Sequence, residues 1–175
     1  ADDIAFPGML HGATLRAGIP HGRVKSLDTS RAEALPGVEA VLTAEDIPGR
    51  VNHGLVIQDW PALIGVGEKV RYVGDAVVIV AAQSKQLAQQ ALDLIEVTYE
   101  ELPPVTDPVE AKKPDSPQVH EKGNLLKHIK VDKGDIDQGF AEAEVIMEDT
   151  FSMPTYEHAF MEPECSIGRM TDDGR

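Results

Sequence analysis

An α+β fold is what this sequence predicts, on three observations. A valine-rich apolar run, Ala76–Ala82, reads as a strand buried on both faces. Directly after it, Leu87, Ala88, Ala91, Leu92 and Ile95 recur at helical spacing as one apolar stripe, with Gln86, Gln89, Gln90 and Asp93 facing water. Residues 96–100 then alternate, a half-buried strand that Pro103-Pro104 stops. Ser84 supplies the hydroxyl that a helix start needs. This packed unit, residues 69–102, is βαβ-like, and its helix must lie on a mixed sheet to hide its stripe.

The preceding elements are shorter. Residues 8–16 alternate well enough for a strand, and residues 23–28 form a second, with Val24 facing in. Gly18, Pro20 and Gly22 mark the loop between them. Thr29 or Ser30 caps a short helix over 31–35, which Pro36-Gly37 ends. Residues 38–43 make a third strand, and 44–47 a single turn before Pro48-Gly49. From 50 to 67 the pattern breaks into a long irregular excursion with brief strand pieces around 55–57. Loops of that length serve function or docking.

After the central unit, residues 106–118 are rich in proline and charge, with one helical turn at most over 108–113. Residues 125–131 could pair as a strand. Gly134-Asp135 starts a short helix over 136–143, with Ile136, Phe140 and Ala143 on one face. Residues 144–153 alternate as a strand, Val145, Met147, Asp149 and Phe151 on one side, before Pro154. The 106–118 stretch reads as a surface linker and a possible domain boundary, after which these would be the first strands of a second domain. Asp173-Gly174 reads as a hairpin turn whose second arm is missing, and Ala1 opens without an initiating Met. Both ends therefore read as cuts in a larger protein.

Composition excludes several classes. Sixteen basic residues against 30 acidic ones give a formal charge of −14, which repels nucleic acid. The longest apolar run falls far short of the roughly 20 residues of a membrane helix. No basic and apolar leader precedes the fold, so the reading is a cytoplasmic protein. Cys165 is the sole cysteine, which excludes an internal disulfide and any cysteine-held iron–sulphur or zinc site.

Chemistry-bearing side chains concentrate in Glu157, His158, Glu162, Glu164 and Cys165, which include metal ligands and proton carriers. One histidine among three glutamates is not a spacing that closes a metal site, so hydrogen-bonded or packing roles outweigh contact with an active site. His11, His21 and His53 read as surface or capping residues, and Cys165 as a buried inert thiol among carboxylates. Arg71-Tyr72 could stage an anion, although a strand-edge salt bridge is the preferred reading. Gly65-x-Gly67 lacks a third glycine, since Val70 stands at that position, and reads as a plain turn.

Seven phrases in series carry a resemblance. They are Pro7-Gly8-Met9-Leu10-His11-Gly12, the Pro20-His21-Gly22-Arg23 loop with Asp28, and residues 36–49. Lys69-Val70-Arg71-Tyr72-Val73-Gly74-Asp75 follows, then Val97-Thr98-Tyr99-Glu100-Glu101-Leu102-Pro103, Gly134-Asp135-Ile136-Asp137 and residues 157–164. In this order the chain resembles the start of the molybdenum-binding large subunit of xanthine dehydrogenases and aldehyde oxidases. It departs from them at Gly22 (often alanine), Phe160 (often proline) and Glu164 (often histidine).

The resemblance implies an α/β hammerhead domain over 1–113, a connecting segment over 114–133, and the beginning of a molybdenum-cofactor domain over 134–175. It implies hydroxylation of a purine, another N-heterocycle or an aldehyde, with water as oxygen source. The molybdenum cofactor (molybdopterin) would belong to the whole enzyme, with iron–sulphur clusters and FAD on partner subunits or domains. Partners would be the downstream molybdenum domain, those redox subunits, a small-molecule substrate and a second copy in a homo-oligomer. The pterin-binding segments and the catalytic glutamate would lie past residue 175. No catalytic, cofactor-binding or metal residue is then assigned here; Glu157, His158, Glu162 and Glu164 stand at the active-site periphery. The competing class is a non-enzymatic acidic interaction or carrier module, but Lys112, Lys113 and Lys133 lack the tight hairpin turn a carrier lysine needs.

Overall fold

In the computed structural model, which describes residues 3–162 and 164–171, the strands are β1 (His11–Arg16), β2 (Gly22–Asp28), β3 (Val38–Leu42), β4 (Asn52–His53), β5 (Trp60–Pro61), β6 (Lys69–Val70), β7 (Ala76–Ala82) and β8 (Glu96–Glu101). The helices are α1 (Ser30–Glu33), α2 (Lys85–Leu92), α3 (Pro108–Ala111) and α4 (Ile136–Glu142), with one 3-10 turn at Ala44–Asp46. The α+β class expected from the sequence is the class observed. No helix among the described residues is long and apolar enough to cross a membrane.

Residues 6–127 form one compact unit. Its centre is β7, where the adjacent Val77 and Val78 are both fully buried although they point to opposite faces, as anticipated for this run. β7 pairs antiparallel with β1 on one side and β3 on the other. Both its edges are then occupied, so β8 cannot join it. β8 instead pairs antiparallel with β2, in a second sheet ordered β6-β2-β8. The strand–helix–strand unit thus bridges two sheets, and each ladder between described strands is antiparallel where the sequence had suggested a mixed sheet. One core joins them: Val24 and Val70 from the second sheet lie with Val78, Val80 and Ala82 from the first. α2 covers β7 and β1 with Ala88, Ala91 and Leu92, and the Ser84 hydroxyl accepts from the Leu87 amide at 3.1 Å.

Several local readings need correction. The α1 start is held by neither Thr29 nor Ser30 as acceptor; Asp28 takes the Ser30 amide at 3.0 Å and its hydroxyl at 2.6 Å. In the 50–67 excursion the paired pieces are β4 and β5, while Leu55, expected within a strand, is fully exposed in the loop between them. Gly54 there has φ +149, and a Cβ on it would collide with the Ile57 carbonyl. Leu63 and Ile64 return the excursion to the core. The Gly65–Gly67 segment is a turn, with the Glu68 amide donating to Gly65 O at 3.1 Å.

The turn after β3 has a testable charge. Thr43 and Asp46 form a reciprocal capping box: the Thr43 amide and hydroxyl donate to Asp46 Oδ2 at 2.7 and 2.9 Å. These bonds, the backbone one first, hold the Asp46 carboxyl below its ordinary value of 3.8. A depressed carboxylate stabilises the fold above its unfolded pKa and ceases to do so as pH falls through the lower folded value. Asp46 should therefore titrate below 3.8 by carboxyl NMR, and Thr43→Ala should move it back toward that figure. An unchanged midpoint in the variant would contradict the box.

The polar stretch after α3 is ordered by Asn124, whose amide donates to Ala111 O at 3.1 Å and Pro117 O at 2.9 Å while its oxygen accepts from the Val119 amide at 2.9 Å. Lys69 Nζ donates to Gln118 O at 3.2 Å.

The second unit contains α4, capped by Asp135 through the Gln138 amide at 3.0 Å. Every described residue from 128 to 171 is exposed. Residues 125–131 and 144–153, read as strands, form no ladder here. Alternation specifies which side chains would face inward, but a strand exists only when a neighbour takes its backbone bonds. The hairpin turn read at Asp173-Gly174 lies outside the described residues.

Candidate functional site

Glu157, His158, Glu162 and Glu164 lie exposed along one irregular segment. The His158 ring stacks on Phe160, with centroids 5.6 Å apart and planes 1° from parallel, and the His158 amide donates to Glu157 Oε1 at 3.0 Å. Ala159 between the rings has φ 51°, unusual for a residue with a Cβ. The segment does not gather its acids around the histidine. Among the described residues, no group of three His, Cys, Asp or Glu side chains is placed to hold a metal. Cys165, expected buried, is exposed, because its segment packs under no layer of side chains.

The buried ionisable groups lie elsewhere, in the 6–127 unit. Asp75 is 2% exposed, and its carboxylate accepts the Arg71 amide at 2.7 Å and, more weakly, the Tyr72 amide at 3.4 Å. This ties residues 71–75 into a closed turn at the entry to β7. The turn is docked on β1: the Ala17 amide donates to Asp75 O at 2.8 Å, the Gly18 amide to Val73 O at 3.1 Å and Arg16 to Gly74 O at 2.8 Å. Among the described residues, Arg71 does not form the expected salt bridge. Backbone amides fill the role an arginine was expected to play, and Arg71 instead donates to the Asp59 carbonyl at 3.3 Å. A cue was present in the sequence: an aspartate after Gly74 can turn back onto amides three and four residues earlier.

His21 is the other miss. It is 4% exposed rather than superficial, with Nδ1 2.8 Å from Pro103 O and its own carbonyl accepting the Leu102 amide at 3.0 Å. A carbonyl only accepts, so Nδ1 carries the proton in that contact, and the buried Nε2 has no partner among the described residues. His21 therefore rivets the start of β2 to the exit from β8. Nothing in its local sequence signalled a partner 82 residues away. His11 is half-buried and His53 exposed. At Gly22, an added Cβ would stand 2.5 Å from Ile19 Cδ1 and 3.0 Å from Glu100 O, so this packing takes glycine.

Comparison with known proteins places this architecture. The family model described as aldehyde oxidase and xanthine dehydrogenase, a/b hammerhead domain, matches residues 1–103, and that of the molybdopterin cofactor-binding domain matches residues 119–175. A probable xanthine dehydrogenase component of Bacillus subtilis is 41% identical over 172 residues, 98% of this chain and 23% of the relative. The nicotinate dehydrogenase large molybdopterin subunit of Eubacterium barkeri is 40% identical over 174 residues, 99% of this chain and 40% of the relative. The solved Cu,Mo-CO dehydrogenase in its carbon monoxide reduced state aligns at TM-score 0.69 and 36% identity, over 82% of this chain and 20% of that one. The chain thus spans less than half the length of these relatives. With the hammerhead model matching more than half its residues, the chain belongs to the aldehyde oxidase and xanthine dehydrogenase family.

Proposed function

We propose that this chain is the leading part of the molybdenum-binding subunit of a hydroxylase acting on a purine, another N-heterocycle or an aldehyde, with water as the oxygen source. The collinear match, hammerhead over 1–103 and cofactor-binding domain over 119–175, carries the reading. On it, the molybdenum cofactor belongs to the larger subunit, and iron–sulphur and FAD subunits take the electrons. The 6–127 unit shields and docks the cofactor domain.

The residues from 128 onward do not by themselves fit a pterin or a metal. Each described one is exposed, and no ligating cluster forms, so no chemical step is assigned to them. Their exposed apolar side chains, Met147, Phe151 and Met153 among them at 85–90% exposure, suit a face that packs against further protein. Glu157, His158, Glu162 and Glu164 are placed, on the same reading, at the periphery of the active site that such packing completes.

Two preparations test the proposal. The 175-residue chain alone should fold, bind no molybdenum by elemental analysis and leave xanthine unoxidised. A chimera in which it replaces the aligned quarter of the Bacillus relative should recover molybdenum and assemble. A folded chimera without molybdenum, or an isolated chain that turns over xanthine, would refute the assignment.

A further inference from the structure

Arg71 has an unfinished set of bonds. Its Nη1 reaches Asp59 O, but its Nε is buried with no acceptor among the described residues. Among the described residues it pairs with no carboxylate, which is unexpected in a protein of net charge −14. It borders a cleft of about 470 Å³ between the β4–β5 excursion, the β6 strand and the 121–122 turn. Three more cations line this cleft: Arg23, Lys69 and Lys122. Arg23 donates to Gly67 O and Lys69 to Gln118 O, so both are held in place by neutral carbonyls that leave their charge uncancelled.

The rim also carries carboxylates, and their partners matter. Asp59 Oδ2 is 2.9 Å from His120 Nδ1, and Glu68 accepts the Gly65 amide at 2.8 Å. These bonds orient two of the three acids at the cleft without cancelling their charge; Glu121 is the third. The result is four cations against three carboxylates, one net positive charge, around a space the size of a small-ligand site.

We propose that this cleft binds the phosphate group of a small molecule, gripped by Arg71, Lys122, Lys69 and Arg23. Two guanidinium and two ammonium groups suit a dianion with three acceptor oxygens better than a single carboxylate. The space exceeds a bare phosphate and leaves room for an attached organic group. The grip comes from side chains on separate segments, not from a glycine-rich loop, so it is consistent with the plain turn at Gly65–Gly67. The site lies within the 6–127 unit and is independent of the cofactor chemistry proposed above.

Titration of the 175-residue chain with inorganic phosphate, followed by amide NMR at constant ionic strength, tests this. Saturable shifts should appear around residues 67–71 and 121–122, and be weaker with acetate and absent with chloride. Lys122→Gln, on the exposed rim, should weaken phosphate binding by about tenfold, as expected for one charge-assisted contact. Arg71→Gln should do so at least as strongly. Lys112→Gln removes the same charge outside the cleft and should leave binding unchanged. Equal shifts with chloride, wild-type binding by Lys122→Gln, or equal weakening by Lys112→Gln would each overturn the site.

Discussion

Replacing Ile64 by alanine should lower the unfolding free energy by about 3 kcal/mol, within the range for emptying a buried aliphatic site. For a unit of this size that corresponds to a melting temperature lower by roughly 6–12 °C. Ile64 is 1% exposed and belongs to the cluster of Val24, Val70, Val77 and Val80, although it sits in no strand or helix. Its amide also donates to the carbonyl of Ala76, the first residue of the central strand, at 2.8 Å. Truncation removes the apolar anchor of the whole 50–67 excursion and leaves a void that rigid β7 neighbours cannot fill. The measurement separates two views of that excursion. A surface loop would lose no more than about 0.5 kcal/mol. A loss that small by urea denaturation would mean that the excursion is not part of the core.

Asp75→Ala should cost about 1–3 kcal/mol, because two part-buried backbone amides lose their acceptor together. The carboxylate is 2% exposed, and the Arg71 amide at 2.7 Å is its stronger partner. Asp75→Asn keeps one carbonyl oxygen in place and should lose distinctly less. The turn it closes also stacks Tyr72 edge-on against Trp60, with centroids 6.1 Å apart, and aims Arg71 at the cleft. Amide exchange should therefore rise first at residues 71–75 and in the β4–β5 excursion. Equal stability of the alanine and asparagine variants would show that the side chain only fills space.

Local physics made much of the fold legible. β7 and α2 are written in consecutive residues, since a helix stripe and a strand run need only their own spacing to be recognised. The same holds for Ser84 as a cap and for the turn at 44–46, where the partners lie within three residues. The candidate site was far less legible. His21 and Pro103, Arg71 and Asp59, and Asp59 and His120 meet across 82, 12 and 61 residues, and no periodicity encodes such encounters. Glu157, His158, Glu162 and Glu164 drew notice as reactive residue types close together in sequence, yet among the described residues their irregular segment brings no three such groups to one point.

The order of residues by itself determined the central strand β7 and helix α2, the acidic composition and, through seven collinear phrases, the family. Tertiary structure alone decided which strands pair. β1 and β3 take both edges of β7, so β8 goes to a second sheet, and Leu63 and Ile64 return the 50–67 excursion to the core. A strand's spacing declares its faces but not its neighbours. Its partners are chosen by which backbone edges remain free once the most buried strand is satisfied.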